Sequence, residues 1–368
     1  MDGETVFTSL KRRGSLTALA AGAALVVGLA GCSSSSSDTS ASADASAAPV
    51  KTLRLGFFPN LTHAPALVGL QEGLFKEALS EQEITVTPTA FNAGPDAVSA
   101  LFGGSLDITY IGPSPTINAY AQSQGEAVKV ISGSTSGGAA LVVKPDIKSA
   151  ADLKGKKIAT PQLGNTQDVA ARYWLKEQGL TTDTNGGGDV SILPQSNSEG
   201  LTAFSSGQID GAWVPEPFVA QYEEAGAKVL VDEKSLWPDG KFVTTNILVR
   251  TEFLNDHPDI VKAFLEGHVA ALDAIKKDPK GSSEAANDSL QSLTGSSLDP
   301  KILSAAWDQM DFTADPLTDT LVESATHAED VGLLDKAQVD AAGGLPGNLY
   351  DLALLNEVLK ADGQKEVS

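Results

Sequence analysis

The stretch Ala100-Leu-Phe-Gly-Gly-Ser-Leu-Asp-Ile-Thr-Tyr-Ile-Gly-Pro-Ser-Pro115 contains the end of a helix, a short strand and the start of another helix. Residues 107–111 are mostly apolar or β-branched, which favours a strand. The following Gly-Pro-Ser-Pro places a proline where a helix begins, a position that tolerates its missing N–H group. A strand that leads directly into a helix is the repeating unit of α/β proteins. This stretch therefore predicts an α/β fold.

The same alternation continues on both sides of this stretch. Three strand-and-helix units in a row, the first beginning at residue 52, imply a parallel sheet. A second block begins after the Gly/Ser-rich residues 133–138, which we expect to be a loose connection. Beyond residue 249 the pattern is almost purely helical. Residues 149–159 predict a short helix followed by a strand. The other predicted strands are residues 52–57, 84–87, 107–111, 140–143, 190–193, 211–214 and 243–249.

The composition excludes several functional classes. The chain has 368 residues, 42% of them hydrophobic, and a formal net charge of −21. So acidic a protein is a poor partner for nucleic acids, which need a basic surface to displace counterions. With one cysteine, the chain can form neither an intramolecular disulfide nor a cysteine-based zinc site. We expect no metal and no cofactor.

The N-terminus predicts export. Basic residues 11–13 precede an uncharged apolar stretch, residues 14–30, and then Leu29-Ala30-Gly31-Cys32. This order is typical of a signal peptide, and the apolar stretch is short for a membrane span. The last four residues resemble the bacterial lipobox, which implies cleavage before Cys32 and acylation of that cysteine. We expect residues 1–31 to be a signal peptide and the mature protein to be anchored outside the cytoplasm.

Residues 32–50 are rich in serine and alanine and predict a flexible tether that carries the lipidated Cys32. A buried free cysteine is the weaker reading of Cys32, because it lies between an apolar signal and a serine tract. Arg12-Arg13 is compatible with twin-arginine export as well as with the general secretory route. The export route stays open.

Four stretches together resemble one family. They are residues 52–57 with the Asn/His loop that follows, residues 100–115, Asp152-Leu-Lys-Gly-Lys-Lys-Ile-Ala-Thr-Pro161, and residues 204–217 with the core Gly207-Gln-Ile-Asp-Gly-Ala-Trp213. Their types and order, within residues 52–275, resemble the solute-binding lipoproteins of ABC importers. The branch is the one that binds aliphatic sulfonates, taurine, nitrate and thiamine pyrimidines.

The resemblance implies a type II periplasmic-binding fold, with two lobes of mixed sheets, a two-strand hinge and a ligand cleft between the lobes. It places the two chain crossings near residues 136–140 and 242–246. Lobe I would be residues 51–138 plus 244–368, and lobe II residues 139–243. The implied partners are a small-molecule ligand and an ABC permease with its ATPase, and the implied assembly is a monomer.

Two predicted helix starts are candidates for an anion site. Backbone N–H groups in the first turn of a helix lack intrahelical partners, and the helix dipole favours negative charge there. Residues 112–116 provide such a start in one lobe, and residues 164–166 in the other. Facing each other, they would hold a sulfonate or nitrate without a buried Lys or Arg. The alternative is that Ser114 and Thr166 only cap their helices.

Other candidates follow strands. Asn60 and His63 lie in the loop after the first strand, where they could donate hydrogen bonds to a ligand. Trp213 is either an aromatic wall for the ligand or a core residue. Glu216 either accepts hydrogen bonds from an amine or caps the helix that begins near Pro217. The predicted ligand-binding residues are Asn60, His63, Ser114, Thr116, Ser136, Gly137, Gln162, Asn165, Thr166, Trp213 and Glu216.

The sequence favours a binding protein over an enzyme. It contains no GxSxG, GxxxxGK[ST] or HExxH motif, and no GxGxxG after a strand. The same fold also hosts a pyrimidine synthase, but that enzyme has a cysteine-rich motif that this chain lacks. We expect capture of an aliphatic sulfonate or taurine for import. Nitrate or a thiamine-pyrimidine precursor is the alternative ligand, and presentation of the ligand to a membrane kinase is the alternative role.

Overall fold

The structure is a computed structural model that describes residues 50–368. The predicted signal peptide, Cys32 and the tether up to residue 49 lie outside the described residues. None of the helices in the described part of the chain is long and apolar enough to cross a membrane.

The described residues form two mixed sheets. The first has the strand order β11-β4-β10-β3-β1-β2. Its strands are β1 (Thr52–Phe57), β2 (Thr85–Ala90), β3 (Ile108–Ile111), β4 (Val128–Gly137), β10 (Val243–Arg250) and β11 (Met310–Phe312). β1 pairs in parallel with β2 and β3, as predicted, whereas β10 is antiparallel to β3 and β4. The short strand β11 was not predicted; it lies antiparallel to β4 within the otherwise helical C-terminal part.

The second sheet has the order β7-β6-β8-β5-β9. Its strands are β5 (Ala139–Val143), β6 (Lys157–Thr160), β7 (Ser191–Pro194), β8 (Gly211–Pro215) and β9 (Lys228–Asp232). β6 is parallel to β7 and β8, and β5 is antiparallel to β8 and β9. The predicted α/β class with two mixed sheets is therefore confirmed.

Helices cover both sheets. In chain order they are α1 (Ala64–Gln71), α2 (Leu74–Ala78), α3 (Gly94–Phe102), α4 (Pro113–Gln122), α5 (Thr166–Glu177), α6 (Asn197–Ser205), α7 (Phe218–Glu224), α8 (Thr251–Asp256), α9 (Pro258–Lys277), α10 (Pro279–Thr294), α11 (Pro300–Trp307), α12 (Thr318–Asp330), α13 (Lys336–Ala341) and α14 (Ala353–Ala361). In β1, the alternate residues Leu53, Leu55 and Phe57 are fully buried, as expected of a strand with one face against helices.

The connection between the sheets differs from the loose segment that the sequence predicts. The Gly/Ser-rich residues 133–138 are not a loop, because β4 continues to Gly137 and only Gly138 separates it from β5. Pairing with β10 on one side and β11 on the other holds these residues in a strand despite their low strand propensity. Gly137 and Gly138 have φ angles of +80° and +74°, which glycine adopts without strain. The exact lobe boundaries given above stay a prediction.

Candidate functional site

A small cavity lies where the strand ends of the two sheets face each other. Its volume is about 30 Å³, and we call it the cleft cavity. The starts of α3, α4, α5 and α6 and the loop after β1 contribute its walls. Within the described part of the chain, its lining includes amides, hydroxyls, a histidine and backbone, but no Asp, Glu, Lys or Arg. Polar recognition in this cavity therefore depends on neutral groups.

The start of α4 offers fewer donors than the sequence reading assumed. Pro113 and Pro115 have no N–H group. The N–H of Thr116 donates to the carbonyl of Gly112 at 3.3 Å. Ser114, which is 1% exposed, therefore carries the one first-turn N–H group of α4 that is free of an intrahelical bond. The expectation of several free N–H groups here is wrong because of the two prolines.

The start of α5 is richer in donors and is firmly held. The side chain of Asn165 accepts from the N–H of Asp168 at 2.9 Å, which makes Asn165 the N-cap. The N–H groups of Thr166 and Gln167 then lie in the first turn, where they lack intrahelical partners. Both residues line the cleft cavity.

A buried ion pair fixes the loop before α5. The carboxylate of Asp168 accepts from the hydroxyl of Thr160 at 2.8 Å, the N–H of Gly164 at 3.0 Å and Nε of Arg172 at 3.0 Å. Asp168 is fully buried and Arg172 is 2% exposed. Because the charges are compensated and hydrogen-bonded, they can orient the helix start without presenting a charge to the cavity.

The two helix starts touch across the cleft. A Cβ atom added to Gly112 would lie 2.3 Å from Oγ1 of Thr166. The φ angle of Gly112 is −75°, so the glycine is required by this close approach and not by its backbone conformation. A Cβ atom on Gly94 would similarly lie 2.2 Å from Cγ of Pro115, which brings the start of α3 against α4.

His63 presents a neutral donor. Its Nδ1 accepts from the N–H of Phe58 at 3.2 Å, so the proton of the neutral ring is on Nε2. Burial lowers the pKa of His63 to about 3, and the ring is uncharged at neutral pH. Asn60 caps the short helical turn Leu61–His63, because its Oδ1 accepts from the N–H and the hydroxyl of Thr62. Asn60, Thr62 and His63 all line the cleft cavity.

Trp213 does not reach the cavity, and the prediction that it forms an aromatic wall is wrong. It is fully buried in β8, where its Nε1 donates to Glu233 at 2.7 Å and its ring packs beside Trp174. Trp213 packs in one apolar cluster with α5, whereas its neighbours Ala212 and Val214 pack in another with α6 and α7. Of β8, only the end, at Pro215, borders the cleft cavity. Trp213 is therefore a core residue, which is the alternative given by the sequence analysis.

Glu216 also faces away from the cleft cavity. Its Oε2 accepts from the N–H of Ala220 at 3.2 Å, in the first turn of α7. It lines a separate cavity of about 280 Å³. Burial raises the pKa of Glu216 to about 7. Of the two readings of Glu216, this contact matches the helix cap.

Ser114 and four other candidates are not among the residues that line the cleft cavity. The hydroxyl of Thr116 donates to the carbonyl of Gly112 and to Oδ1 of Asn246. Ser136 and Gly137 hold the chain crossing together: the hydroxyl of Ser136 accepts from the N–H of Phe242, and the carbonyl of Gly137 accepts from the hydroxyl of Thr244. Gln162 is half-buried in the loop before α5, next to the cavity-lining Pro161.

Sequence reasoning missed several residues that line the cavity. Asn92 to Gly94 precede or begin α3, and Asn197 begins α6. Both segments follow a strand of a parallel pair, β2 and β7, so the rule that identified Gly112 and Thr166 could have found them. Within residues 50–368, Oδ1 of Asn197 is buried without a hydrogen-bond partner. No group of three or more His, Cys, Asp or Glu residues in that range is arranged to hold a metal ion.

Known proteins share both sequence and fold with this chain. The chain is 31% identical over 215 residues to the taurine-binding periplasmic protein of Escherichia coli, covering 58% of this chain and 64% of the relative. It is 29% identical over 224 residues to a putative aliphatic sulfonates-binding protein of Bacillus subtilis, covering 59% and 63%. The matched region thus spans about three fifths of the length of these curated relatives.

Among solved structures, the alkanesulfonate-binding protein SsuA from Xanthomonas axonopodis pv. citri, bound to MOPS, superposes with a TM-score of 0.66. The match covers 80% of this chain and 99% of that protein at 21% identity, which supports the periplasmic-binding fold. The model of the NMT1-like family matches residues 46–289. This match extends over most of the chain, which therefore belongs to the NMT1-like family.

Proposed function

We propose that this chain is the solute-binding component of an ABC importer and captures a small sulfonate-type anion in the cleft cavity. The observation that carries the proposal is the meeting of helix starts from both sheets around a cavity lined by neutral polar groups. First-turn N–H groups and the positive ends of helix dipoles stabilise an anion in such a place. The names of the Escherichia coli and Bacillus subtilis relatives support a sulfonate ligand.

Four N–H groups are candidates for direct contact. Three belong to residues that line the cavity: the backbone N–H groups of Thr166 and Gln167 and Nε2–H of His63. The fourth is the backbone N–H of Ser114, which lies between Gly112 and Pro115 of the cavity wall. We propose that a ligand draws the two helix starts together, since its charge interacts with both. This arrangement would allow a strongly acidic protein to hold a small anion without a buried lysine or arginine.

We assign no reaction to this cavity. The one titratable side chain among its lining residues in the described range is His63. With a pKa of about 3, that ring is a weak base at neutral pH, whereas an effective general base has a pKa near the operating pH. These properties support capture and release of an unchanged solute. We propose that the recipient of the solute is a membrane permease with its ATPase. Genes for those subunits next to the gene for this protein would favour import over a sensor role.

We also propose that Cys32 is acylated and holds the protein at the outer face of the cell membrane. The proposal rests on the Leu-Ala-Gly-Cys sequence. Mass spectrometry of the membrane-extracted protein should find a lipid-modified Cys32 at the mature N-terminus. An unmodified protein with residues 1–31 still attached would contradict this proposal.

The ligand class can be tested by thermal unfolding of the purified protein with methanesulfonate, taurine, nitrate, an aminopyrimidine or chloride. A ligand that binds the native state alone stabilises it by about 2.7 kcal/mol at a hundredfold excess over Kd. We expect a sulfonate to raise the midpoint of unfolding more than chloride does. Stabilisation by nitrate or the aminopyrimidine alone would favour the alternative ligands. No stabilisation by any sulfonate would overturn the proposal.

A further inference from the structure

A second, larger cavity adjoins the cleft cavity. Its volume is about 540 Å³, and we call it the outer cavity. Phe58, Asn60, Asn92 and Asn197 line both cavities. These shared walls place the outer cavity next to the groups that are proposed to hold the anion. A ligand too long for the cleft cavity would therefore extend toward the outer one.

The lining of the outer cavity is apolar and neutral polar. Its apolar side chains come from the loop after β1, from α6, from the start of α7, and from the C-terminal part of the chain: Phe58, Pro59, Leu201, Pro217, Phe218, Leu290 and Leu298. The remaining side chains carry hydroxyl or amide groups. Among residues 50–368, neither cavity is lined by an Asp, Glu, Lys or Arg side chain, and the imidazole of His63 in the cleft cavity is uncharged at neutral pH. The outer cavity therefore suits an uncharged organic group.

The acidic residues that adjoin this wall in sequence do not line it. The carboxylate of Glu199 accepts from the N–H and the hydroxyl of Ser196 in the capping box of α6, and Asp299 caps α11 by accepting from the N–H of Lys301. Glu216 precedes Pro217, but it lines the separate 280 Å³ cavity together with Glu223 and Asp232, and its Oε2 accepts from Ala220. An ammonium group on the ligand would consequently lose water without gaining a carboxylate partner. Such desolvation of an unpaired charge is unfavourable.

We propose that this site selects a sulfonate with an extended uncharged tail and discriminates against taurine. The sulfonate would lie in the cleft cavity and the tail in the outer cavity. This inference rests on the anion capture proposed above. It adds that burial of apolar surface in the outer cavity, and the absence of an ionic partner for an amine, determine which sulfonate binds best.

The test is a calorimetric titration of the purified protein with methanesulfonate, propane-1-sulfonate, hexane-1-sulfonate and taurine. Propane-1-sulfonate and taurine are a matched pair, because a methyl group replaces the ammonium group. We expect Kd to fall along the alkyl series by up to about fourfold per methylene. Taurine should bind at least about tenfold more weakly than propane-1-sulfonate.

Two variants of the outer cavity locate the tail. Leu298→Ala and Leu201→Ala should each weaken hexane-1-sulfonate binding more than methanesulfonate binding. Leu236→Ala is the matched control, because Leu236 is 44% exposed and lines neither cavity. Circular dichroism and thermal unfolding establish whether each variant is folded, and the second leucine provides the test if one variant is not.

The outcomes separate the two proposals. If methanesulfonate binds but the alkyl series is flat, or if taurine binds as tightly as propane-1-sulfonate, the tail inference is overturned and anion capture stands. An alkyl series that is equally steep in both cavity variants and in the control would also overturn it. If no sulfonate binds, the proposed function itself fails.

Discussion

At Gly112, the absence of a side chain permits the contact between α4 and α5. An added Cβ atom would lie 2.3 Å from Oγ1 of Thr166 but 3.4 Å from its Cβ. The obstructing atom is thus a single hydroxyl oxygen. A clash introduced by a side chain at Gly112 can therefore be relieved by removing the hydroxyl of Thr166.

We predict that Gly112→Ala weakens ligand binding by at least about tenfold, because the added methyl group prevents the two helix starts from meeting. The unliganded protein should lose about 1 kcal/mol or less, since the φ angle of −75° suits alanine. The test is a double-mutant cycle on the ligand Kd with Thr166→Ala. If Gly112→Ala costs the same affinity with and without the Thr166 hydroxyl, the contact does not control binding.

Glu216 provides a pH prediction. Its pKa is raised to about 7 by burial, so between its ordinary value of 4.5 and pH 7 the folded state binds more protons than the unfolded state. Its contribution to stability is therefore present at low pH and is lost as the pH rises through 7. Burial raises the pKa of Glu233 to about 7 as well, so both groups act in the same direction.

We predict that Glu216→Gln reduces the fall in unfolding free energy between pH 5 and pH 8 by on the order of 2 kcal/mol. Denaturant unfolding at pH 5 and at pH 8 measures the change in unfolding free energy for each protein. The exposed variant Glu81→Gln serves as the control, because Glu81 is solvent-exposed in the structure. If the unfolding free energy of the wild type and of Glu216→Gln depends on pH in the same way, the pKa of Glu216 is not raised by burial.

At the level of elements, the two helix starts are unequal. α4 contributes one free first-turn N–H group because of its prolines, whereas α5 contributes two and is held by the cap of Asn165 and by the Asp168–Arg172 pair. We infer that α5 provides the larger share of anion binding. Loss of the cap should therefore affect ligand binding as well as stability.

We predict that Asn165→Ala lowers stability by about 1 kcal/mol and also weakens ligand binding. The matched control is Asp278→Ala, since Asp278 caps α10 by accepting from the N–H of the third residue of its helix, just as Asn165 does for α5. The control should lose similar stability and keep its affinity. Equal ligand affinity in both variants would show that Asn165 contributes to stability alone and not to ligand binding.

The sequence predicts some elements of the site and not others, for physical reasons. Gly112, Asn165 and Thr166 were found because a strand followed by a helix start is a local pattern. The orientation of Trp213 could not be predicted, because all residues of β8 are buried. In such a strand, apolar residues on both faces give no alternation that would show which face a side chain lies on. β11 and the Gly/Ser-rich end of β4 depend on pairing between residues far apart in sequence. Local propensity does not contain that information.

At the level of the whole molecule, two chain crossings join the sheets. One is the direct passage from β4 to β5 through Gly138, and the other leads from β9 to β10. The hydrogen bonds from Phe242 to Ser136 and from Thr244 to Gly137 tie the crossings together. Because both crossings are adjacent, rotation about them would open the cleft while each sheet stays intact.

We predict that the unliganded protein in solution is more open than this structure, in which the helix starts are in contact. Small-angle X-ray scattering should show a smaller radius of gyration with saturating hexane-1-sulfonate than without it. Gly112→Ala should show a reduced change. A radius of gyration that ligand leaves unaltered in the wild type would contradict closure by hinge motion.

The central claim is that neutral donors at the meeting helix starts hold the anion. The most direct test is a crystal structure of the protein with propane-1-sulfonate. We predict sulfonate oxygens within hydrogen-bonding distance of the N–H groups of Thr166 and Gln167 and of Nε2 of His63, with the alkyl chain directed toward Phe58. A sulfonate bound outside the cleft cavity, or held by a lysine or arginine side chain, would contradict the claim.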